Sequence, residues 1–121
     1  MVKVVYDEKF EDIIGFELSG VVTAKDYEEV LIPAIREKLK SVEKLKVLYH
    51  VTKDFDSYEL KAMLDDAIAG VEFFSKWEKI AVVSDVKWII EGVKIFSFMV
   101  PGQIKTYTDA EIEDAKAWLR E

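Results

Sequence analysis

Hydrophobic positions along the chain follow the spacing of a strand in some segments and of a helix in others. Short β-rich runs at residues 2–6 and 13–18 are joined by a polar stretch, which predicts an antiparallel hairpin. Further runs at residues 45–51, 79–83 and 104–107 are each followed by a segment with helical spacing. The predicted order is β-β-α-β-α-β-α-β-α. It indicates an α/β fold with about four helices and one mostly parallel sheet of four to five strands, including one antiparallel edge strand.

Capping residues mark the start of the first and the last predicted helix. Thr23 is followed by Asp26, and Thr108 by Glu111, the spacing at which a hydroxyl and a carboxylate cap a helix reciprocally. Pro33 lies inside the first helical segment. Because proline lacks the N–H that a helix interior needs, we expect the helix to kink there or to restart.

The second and third predicted helices carry more apolar residues than one buried face requires. Residues 85–100 are apolar almost all the way round, which is typical of a helix that is buried on several sides or that presents apolar surface. Ile90 and Phe98 are expected off its core face, as are Tyr58 and Phe73 on the second helix. The expected core faces consist of Leu60, Met63, Leu64, Ala67, Val71 and Phe74 on the second helix, and of Trp88, Ile89, Val93, Phe96, Met99 and Val100 on the third.

Composition narrows the classes of function. The 121 residues are expected to form a single domain over residues 1–121, with 50% hydrophobic and 34% charged residues. The net charge of −7 argues against nucleic acid as a partner. Cysteine is absent and only one histidine is present, which argues against thiolate or multi-histidine metal sites. No apolar run is long enough to span a bilayer, so we expect a cytoplasmic protein without integral membrane association.

Two short polar segments follow predicted parallel strands. Asp56 and Ser57 come after the strand at 45–51, and Ser84 and Asp85 come after the strand at 79–83. If these strands are neighbours, the four side chains lie on one rim at the carboxyl edge of the sheet, where α/β proteins bind ligands and helix N-termini attract anions. The alternative is that they only cap the helices that follow, with Glu59 completing a capping box with Asp56.

Catalytic constellations are not evident in the sequence. His50, near the end of a strand, has no nucleophile at a recognisable spacing and is expected to be a hydrogen-bonded structural residue. Phosphate-binding and dinucleotide-binding glycine motifs are absent from the sequence, as is a nucleophile elbow. We therefore expect no enzyme activity, no cofactor and no metal site.

The chain resembles the SpoIIAA-like family over essentially its whole length. The segments that carry the resemblance are Asp26-Tyr27 with Pro33, Asp54-Phe55, Ala81-Val82-Val83 with Asp85 and Trp88, and Ala117-Trp118-Leu119. These are small proteins with the fold of anti-sigma-factor antagonists (STAS domains), also likened to CRAL-TRIO lipid-transfer domains.

The resemblance implies two different roles. The antagonists carry a regulatory phosphorylated serine, whose position matches Ser57 after Asp56. The antagonists continue with Ser or Thr and then Gly, where this chain has Tyr58-Glu59. The lipid-transfer likeness implies an apolar cavity between helices and sheet.

We therefore expect a non-enzymatic binding or regulatory module. Its surface would be the second and third predicted helices, used for self-association or for docking a protein partner. The alternative is a carrier or sensor of a small apolar or lipid-like ligand, held between the helices and the sheet.

Overall fold

The computed structural model describes residues 1–7, 9–99 and 101–121, without the side chains of Phe96 and Met99. Val100, the last residue of the predicted third helix, lies outside the described residues. The five strands are β1 (Val2–Tyr6), β2 (Ile13–Val22), β3 (Leu45–Tyr58), β4 (Trp77–Ser84) and β5 (Gln103–Tyr107). They form one sheet in the order β1-β2-β3-β4-β5, in which β1 pairs antiparallel with β2 and all other pairs are parallel. The predicted α/β fold with a mostly parallel sheet is confirmed.

The first helical stretch is built from three consecutive segments. It consists of α1 (Ala24–Asp26), a π-helical segment (Tyr27–Leu31) and α2 (Ile32–Lys38). Thr23 caps its start, and both halves of the capping box with Asp26 are formed. Pro33 stands in the first turn of α2, so the regular helix restarts at the proline as expected.

The remaining helices are α3 (Leu60–Glu72), α4 (Lys87–Phe96) and α5 (Ile112–Leu119). Short 3₁₀ turns follow α3 and α4 and precede α5. The second predicted capping box is present, because Thr108 and Glu111 satisfy each other's backbone N–H groups before α5.

Strand β3 is longer than the sequence predicts. It was expected to end at Val51 but continues to Tyr58, because β2 also continues beyond its expected end and the two extensions pair. Gly20 marks the register shift in β2 with φ of +59°, a conformation that glycine adopts without steric cost. Glu59 then leads into α3 and caps α1 instead of its own helix, since its carboxylate accepts a hydrogen bond from the N–H of Ala24 at 3.0 Å.

Helices cover both faces of the sheet. The larger core lies under α1 to α4 and includes Phe16, Leu18 and Tyr27. On the other face, α5 packs Ala115, Trp118 and Leu119 against the sheet.

Helix α3 is turned the opposite way from the prediction. Its buried apolar residues are the small Ala62 and Ala69, while the expected core residues Leu60, Met63, Leu64, Val71 and Phe74 are exposed. The principal partners of α3 are α1 and the π-helical segment rather than the sheet. Alanines allow these helices to approach closely, and the larger apolar side chains consequently point away from that contact.

Candidate functional site

A cavity of about 540 Å³ lies between the sheet and helices α2, α3 and α4. This volume is within the range of roughly 300–1,000 Å³ that is usual for small-molecule sites. The surface is largely apolar, and Asp66 is the one charged residue among those lining it. The lining residues are Phe16, Leu31, Ile35, Val47, Tyr49, Tyr58, Met63, Asp66, Ala69, Gly70, Trp77, Ile80, Val82, Trp88, Ile89, Gly92, Val93 and Ile104.

The floor of the cavity is formed by every second side chain of two neighbouring strands. Val47 and Tyr49 on β3, like Ile80 and Val82 on β4, are two residues apart and therefore face the same side of the sheet. The walls come from Leu31 and Ile35 on the first helical stretch and from Ile89 and Val93 on α4.

Two glycines face the cavity from the helices. Gly70 on α3 and Gly92 on α4 both line it, and a Cβ atom built on either would have no heavy atom within 4 Å. The backbone does not require glycine there, because neither residue has a positive φ. The missing side chains therefore leave open space on the helical side of the cavity.

Three tyrosines and one aspartate form a continuous hydrogen-bonded network at the cavity. The Tyr27 hydroxyl donates to Oδ1 of Asp66 at 2.7 Å. It also lies 2.6 Å from the Tyr49 hydroxyl, which in turn lies 2.8 Å from the Tyr58 hydroxyl. Tyr27 is fully buried behind the cavity, whereas Tyr49, Tyr58 and Asp66 line it.

Burial keeps the hydroxyls of this network protonated. It raises the pKa of Tyr58 to about 12 and also raises the pKa values of Tyr27 and Tyr49. Desolvation also raises the pKa of Asp66, against the opposing effect of the hydrogen bond from Tyr27. Asp66 is exposed as a whole residue, but its carboxylate is turned inward toward Tyr27.

An aromatic cluster holds Tyr58 in place at the cavity. The ring of Phe55 lies 5.0 Å from that of Tyr58 and 6.1 Å from that of Trp88, and the Tyr58 and Trp88 rings meet edge to face at 6.2 Å. These centroid distances are typical of favourable aromatic pairs. The unexpected extension of β3 thus has a local effect, because it brings Tyr58 to the cavity and Phe55 against the Tyr58 and Trp88 rings.

The predicted polar rim at the carboxyl edge is not formed. Strands β3 and β4 are neighbours, but the register partner of Ser84 is Val51. Asp56 and Ser57 lie five and six residues further along extended β3, and at about 3.3 Å per residue this is roughly 16 Å or more away. The prediction was wrong because it ended β3 at Val51 and treated the following residues as a loop.

The four rim residues have separate local roles. Asp56 and Ser57 are exposed strand residues and neither caps a helix. The buried Ser84 hydroxyl accepts a hydrogen bond from the N–H of Val86, just before α4. Asp85 accepts a hydrogen bond from the backbone N–H of Asp109 at 3.0 Å.

The residues expected on the outer helix faces are divided between core, cavity and surface. Phe73 was expected outside but is buried, with its ring edge-to-face on Trp77 at 5.9 Å. Ile90 is half-buried against the core, and Tyr58 lies on β3 rather than on a helix. Phe98 is 82% exposed. The expectations for Phe73 and Tyr58 were wrong because α3 begins later and is rotated relative to the predicted helix.

His50 is held by a carboxylate on the opposite face of the sheet from the cavity. Its Nε2 lies 3.1 Å from Oδ1 of Asp109, while Nδ1 is buried without a partner among the described residues. Among these residues no group of three or more His, Asp or Glu side chains is arranged to hold a metal ion. No helix in the described ranges is both long and apolar enough to cross a membrane.

Sequence reasoning did not identify the tyrosine network. The sequence pattern places Tyr27 on an apolar helix face and Tyr49 within the strand predicted at 45–51, and it indicates solvated surface for Asp66, which follows Asp65 directly. A signal was available, because a tyrosine placed in a core needs a partner for its hydroxyl. The sequence does not specify that partner, since the four residues come from three separate elements.

Comparisons with known proteins agree on the fold. A family model described as SpoIIAA-like matches residues 13–120. A solved structure of an uncharacterized protein of the DUF3478 family with a SpoIIAA-like fold, from Shewanella loihica PV-4, is similar to this chain with a TM-score of 0.79. The similarity covers 98% of this chain and 92% of that chain at 21% sequence identity, which shows the fold alone. No curated protein matches the sequence.

Proposed function

The chain belongs to the SpoIIAA-like family, and on this fold we propose that it is a carrier or sensor of a small apolar or lipid-like ligand. The observation that carries the proposal is the cavity of about 540 Å³ between the helices and the sheet. Its lining is almost entirely apolar, with a few polar groups at the tyrosine network, the usual composition of a site for an amphipathic small molecule.

The expected affinity is moderate. Burying an alkyl chain of roughly eight methylenes contributes about 6 kcal/mol at ~0.8 kcal/mol per methylene. Immobilising the ligand offsets several kcal/mol of that gain. A ligand held mainly by apolar contacts therefore exchanges readily, which suits a carrier better than a permanent prosthetic group.

Gly92 offers a variant that separates ligand binding from folding. Leucine at this position extends into open space in the cavity, because no heavy atom lies within 4 Å of the Cβ position. Alanine is the matched control, since it brings the same kind of gain in helix propensity, about 0.8–1 kcal/mol over glycine, but adds little volume. Both variants should fold at least as well as the wild-type protein.

The test is native mass spectrometry of protein purified from cells without detergent. We expect an additional small-molecule mass on the wild-type protein and on Gly92→Ala, and its loss or strong reduction in Gly92→Leu. In titrations, the fluorescent apolar probe phenylnaphthylamine should likewise bind to the wild-type protein and to Gly92→Ala, and bind weakly or not at all to Gly92→Leu. A wild-type protein that carries no ligand and does not bind the probe would contradict the proposal.

A second candidate function is self-association through α3 and α4, favoured by the apolar side chains that these helices and the adjoining turns expose. Monomeric proteins rarely present large contiguous apolar patches. An apolar face needs no charge pairing to complement a second copy of itself in a two-fold dimer. The exposed residues are Leu60, Met63, Leu64, Ile68, Val71, Phe74, Trp88, Ile95 and Phe98.

Size-exclusion chromatography with light scattering tests this second candidate. If the wild-type protein is a dimer, Phe98→Asp should shift it toward monomer, because Phe98 is 82% exposed and a carboxylate would be desolvated in the interface. Ser41→Asp is the control, since it makes the same change of charge at an exposed residue outside α3 and α4. A wild-type monomer over the whole concentration range would exclude self-association.

A further inference from the structure

The tyrosine network has a fixed hydrogen-bond direction. Each tyrosine hydroxyl has a single hydrogen, and that of Tyr27 is donated to Asp66. The hydroxyl of Tyr49 must therefore donate to Tyr27 across their 2.6 Å contact, and that of Tyr58 to Tyr49 across 2.8 Å. Burial raises the pKa of Asp66, and at a pH above that pKa the carboxylate is ionised and every hydrogen in the network is directed toward it.

This direction determines what the network offers to the cavity. The hydrogen of Tyr58 is already donated to Tyr49, so its oxygen is left as a hydrogen-bond acceptor on the cavity wall. The second carboxylate oxygen of Asp66 makes no hydrogen bond to a described residue, and an ionised carboxylate only accepts. The network consequently presents acceptors and negative charge to the cavity, and no free donor.

We propose that the cavity selects ligands whose polar head group donates a hydrogen bond: an ammonium, which donates to Asp66 and to the hydroxyl oxygen of Tyr58, or an alcohol, which donates its single hydrogen to one of these two acceptors. The inference rests on the proposed carrier function and specifies its ligand class. A carboxylate head group would meet the negative charge of Asp66 without receiving a hydrogen bond from the network. An ester has no hydrogen to donate to it.

Competing donors on the cavity wall are the indole N–H groups of Trp77 and Trp88. Neither forms a hydrogen bond with a described side chain or backbone group, and both rings are instead packed against other aromatic residues. A head group bound at the indoles would accept a hydrogen bond, so binding there would favour dodecanoate or an ester over an alcohol or an ammonium. Head-group selectivity therefore distinguishes binding at the network from binding at the indoles.

The experiment is displacement of phenylnaphthylamine by ligands that share one alkyl chain and differ in the head group. Dodecanol and dodecylamine are the donors, and dodecanoate and methyl dodecanoate are acceptors only. We expect the donors to displace the probe roughly tenfold to a hundredfold more strongly, the range that a hydrogen bond to a charged group supports. Added salt should weaken the binding of dodecylamine and leave the binding of dodecanol unchanged, because only the ammonium is attracted by the charge of Asp66.

Two variants assign the selectivity to the named atoms. Asp66→Asn keeps an acceptor for the Tyr27 hydroxyl but removes the charge and adds an N–H donor, so the preference for dodecylamine should fall and that for methyl dodecanoate should rise. Tyr58→Phe should reduce binding of dodecanol without affecting the probe. Asp54→Asn makes the same change of charge at an exposed residue outside the cavity lining and should alter nothing.

The possible failures are distinguishable. Equal displacement by all four ligands, or strongest displacement by dodecanoate or its ester, would overturn the head-group inference and leave the carrier function standing. If the probe does not bind to the wild-type protein, the carrier function itself is wrong. Unchanged selectivity in both Asp66→Asn and Tyr58→Phe would place the head group away from the network and would also overturn the inference.

Discussion

Replacing Tyr27 with phenylalanine should destabilise the folded state by about 2–3 kcal/mol. The change removes one hydroxyl, which is fully buried and connects Tyr49 with Asp66. The neutral bond to Tyr49 accounts for about 1 kcal/mol, and a bond to a charged group for about 1.5–3 kcal/mol. The lower end applies to the bond with Asp66, because solvent reaches that residue.

Urea unfolding followed by circular dichroism measures this loss. For a domain of this size, 2–3 kcal/mol lowers the midpoint by about 1–2 M urea. Tyr6→Phe is the control, since Tyr6 is 54% exposed and its hydroxyl forms no hydrogen bond to a described residue. That variant should remain within about 0.5 kcal/mol of the wild-type protein.

A double-mutant cycle tests whether Tyr27 and Tyr49 act through their shared hydrogen bond. The combination of Tyr27→Phe and Tyr49→Phe should cost less than the sum of the single changes, by about 0.5–3 kcal/mol for residues in direct contact. A loss below about 0.5 kcal/mol for Tyr27→Phe, or strictly additive costs, would refute the view that the network is a coupled and stabilising unit.

Three further predictions concern the backbone and the pH dependence. Gly102→Ala should lower the free energy of unfolding by about 3 kcal/mol or more, measured by urea unfolding, because its Cβ would lie 2.6 Å and 2.8 Å from the carbonyl oxygens of Trp77 and Glu78. A loss below about 1 kcal/mol would contradict that geometry. Gly20→Ala has open space around its Cβ and should cost only the strain of positive φ, about 1–2 kcal/mol, with Gly20→Asn closer to wild type. The pKa of Asp66 is raised above its ordinary value of 3.8 in the folded state, chiefly by burial. Between 3.8 and that raised pKa the folded state binds more protons than the unfolded state, so the free energy of unfolding falls as the pH rises through this range. The stability of Asp66→Asn relative to the wild-type protein should therefore increase with pH above about 4, and a difference independent of pH would contradict the shift.

Most of the fold was predictable because its signals are local. The hairpin of β1 and β2, the capping boxes of Thr23 and Thr108 and the restart at Pro33 each depend on residues within one turn or strand. The length of β3 was not predictable in this way. Its extension is polar and depends on pairing with the end of β2, a partner that is distant in sequence.

The candidate site was harder to predict for the same reason. The outward turn of α3 results from Ala62 and Ala69 packing against the first helical stretch, although the larger apolar residues of α3 have the spacing of a core face. The sequence pattern records which residues share a face but not which neighbour that face meets. The network of Tyr27 and Asp66 depends on that choice, because it requires the inner side of α3 to face the π-helical segment.

The strand order has a consequence for how the chain acquires its structure. Every strand lies beside the strand that precedes it, from β1 to β5, so no strand has to be inserted between two others that are already paired. Each new pairing closes only one crossover, which limits the entropy lost at each step. As the chain leaves the ribosome, the sheet can grow at a single edge while β1 already terminates the other. Besides the outer edge of β1, the nascent protein then exposes only the edge of the most recently added strand to other chains.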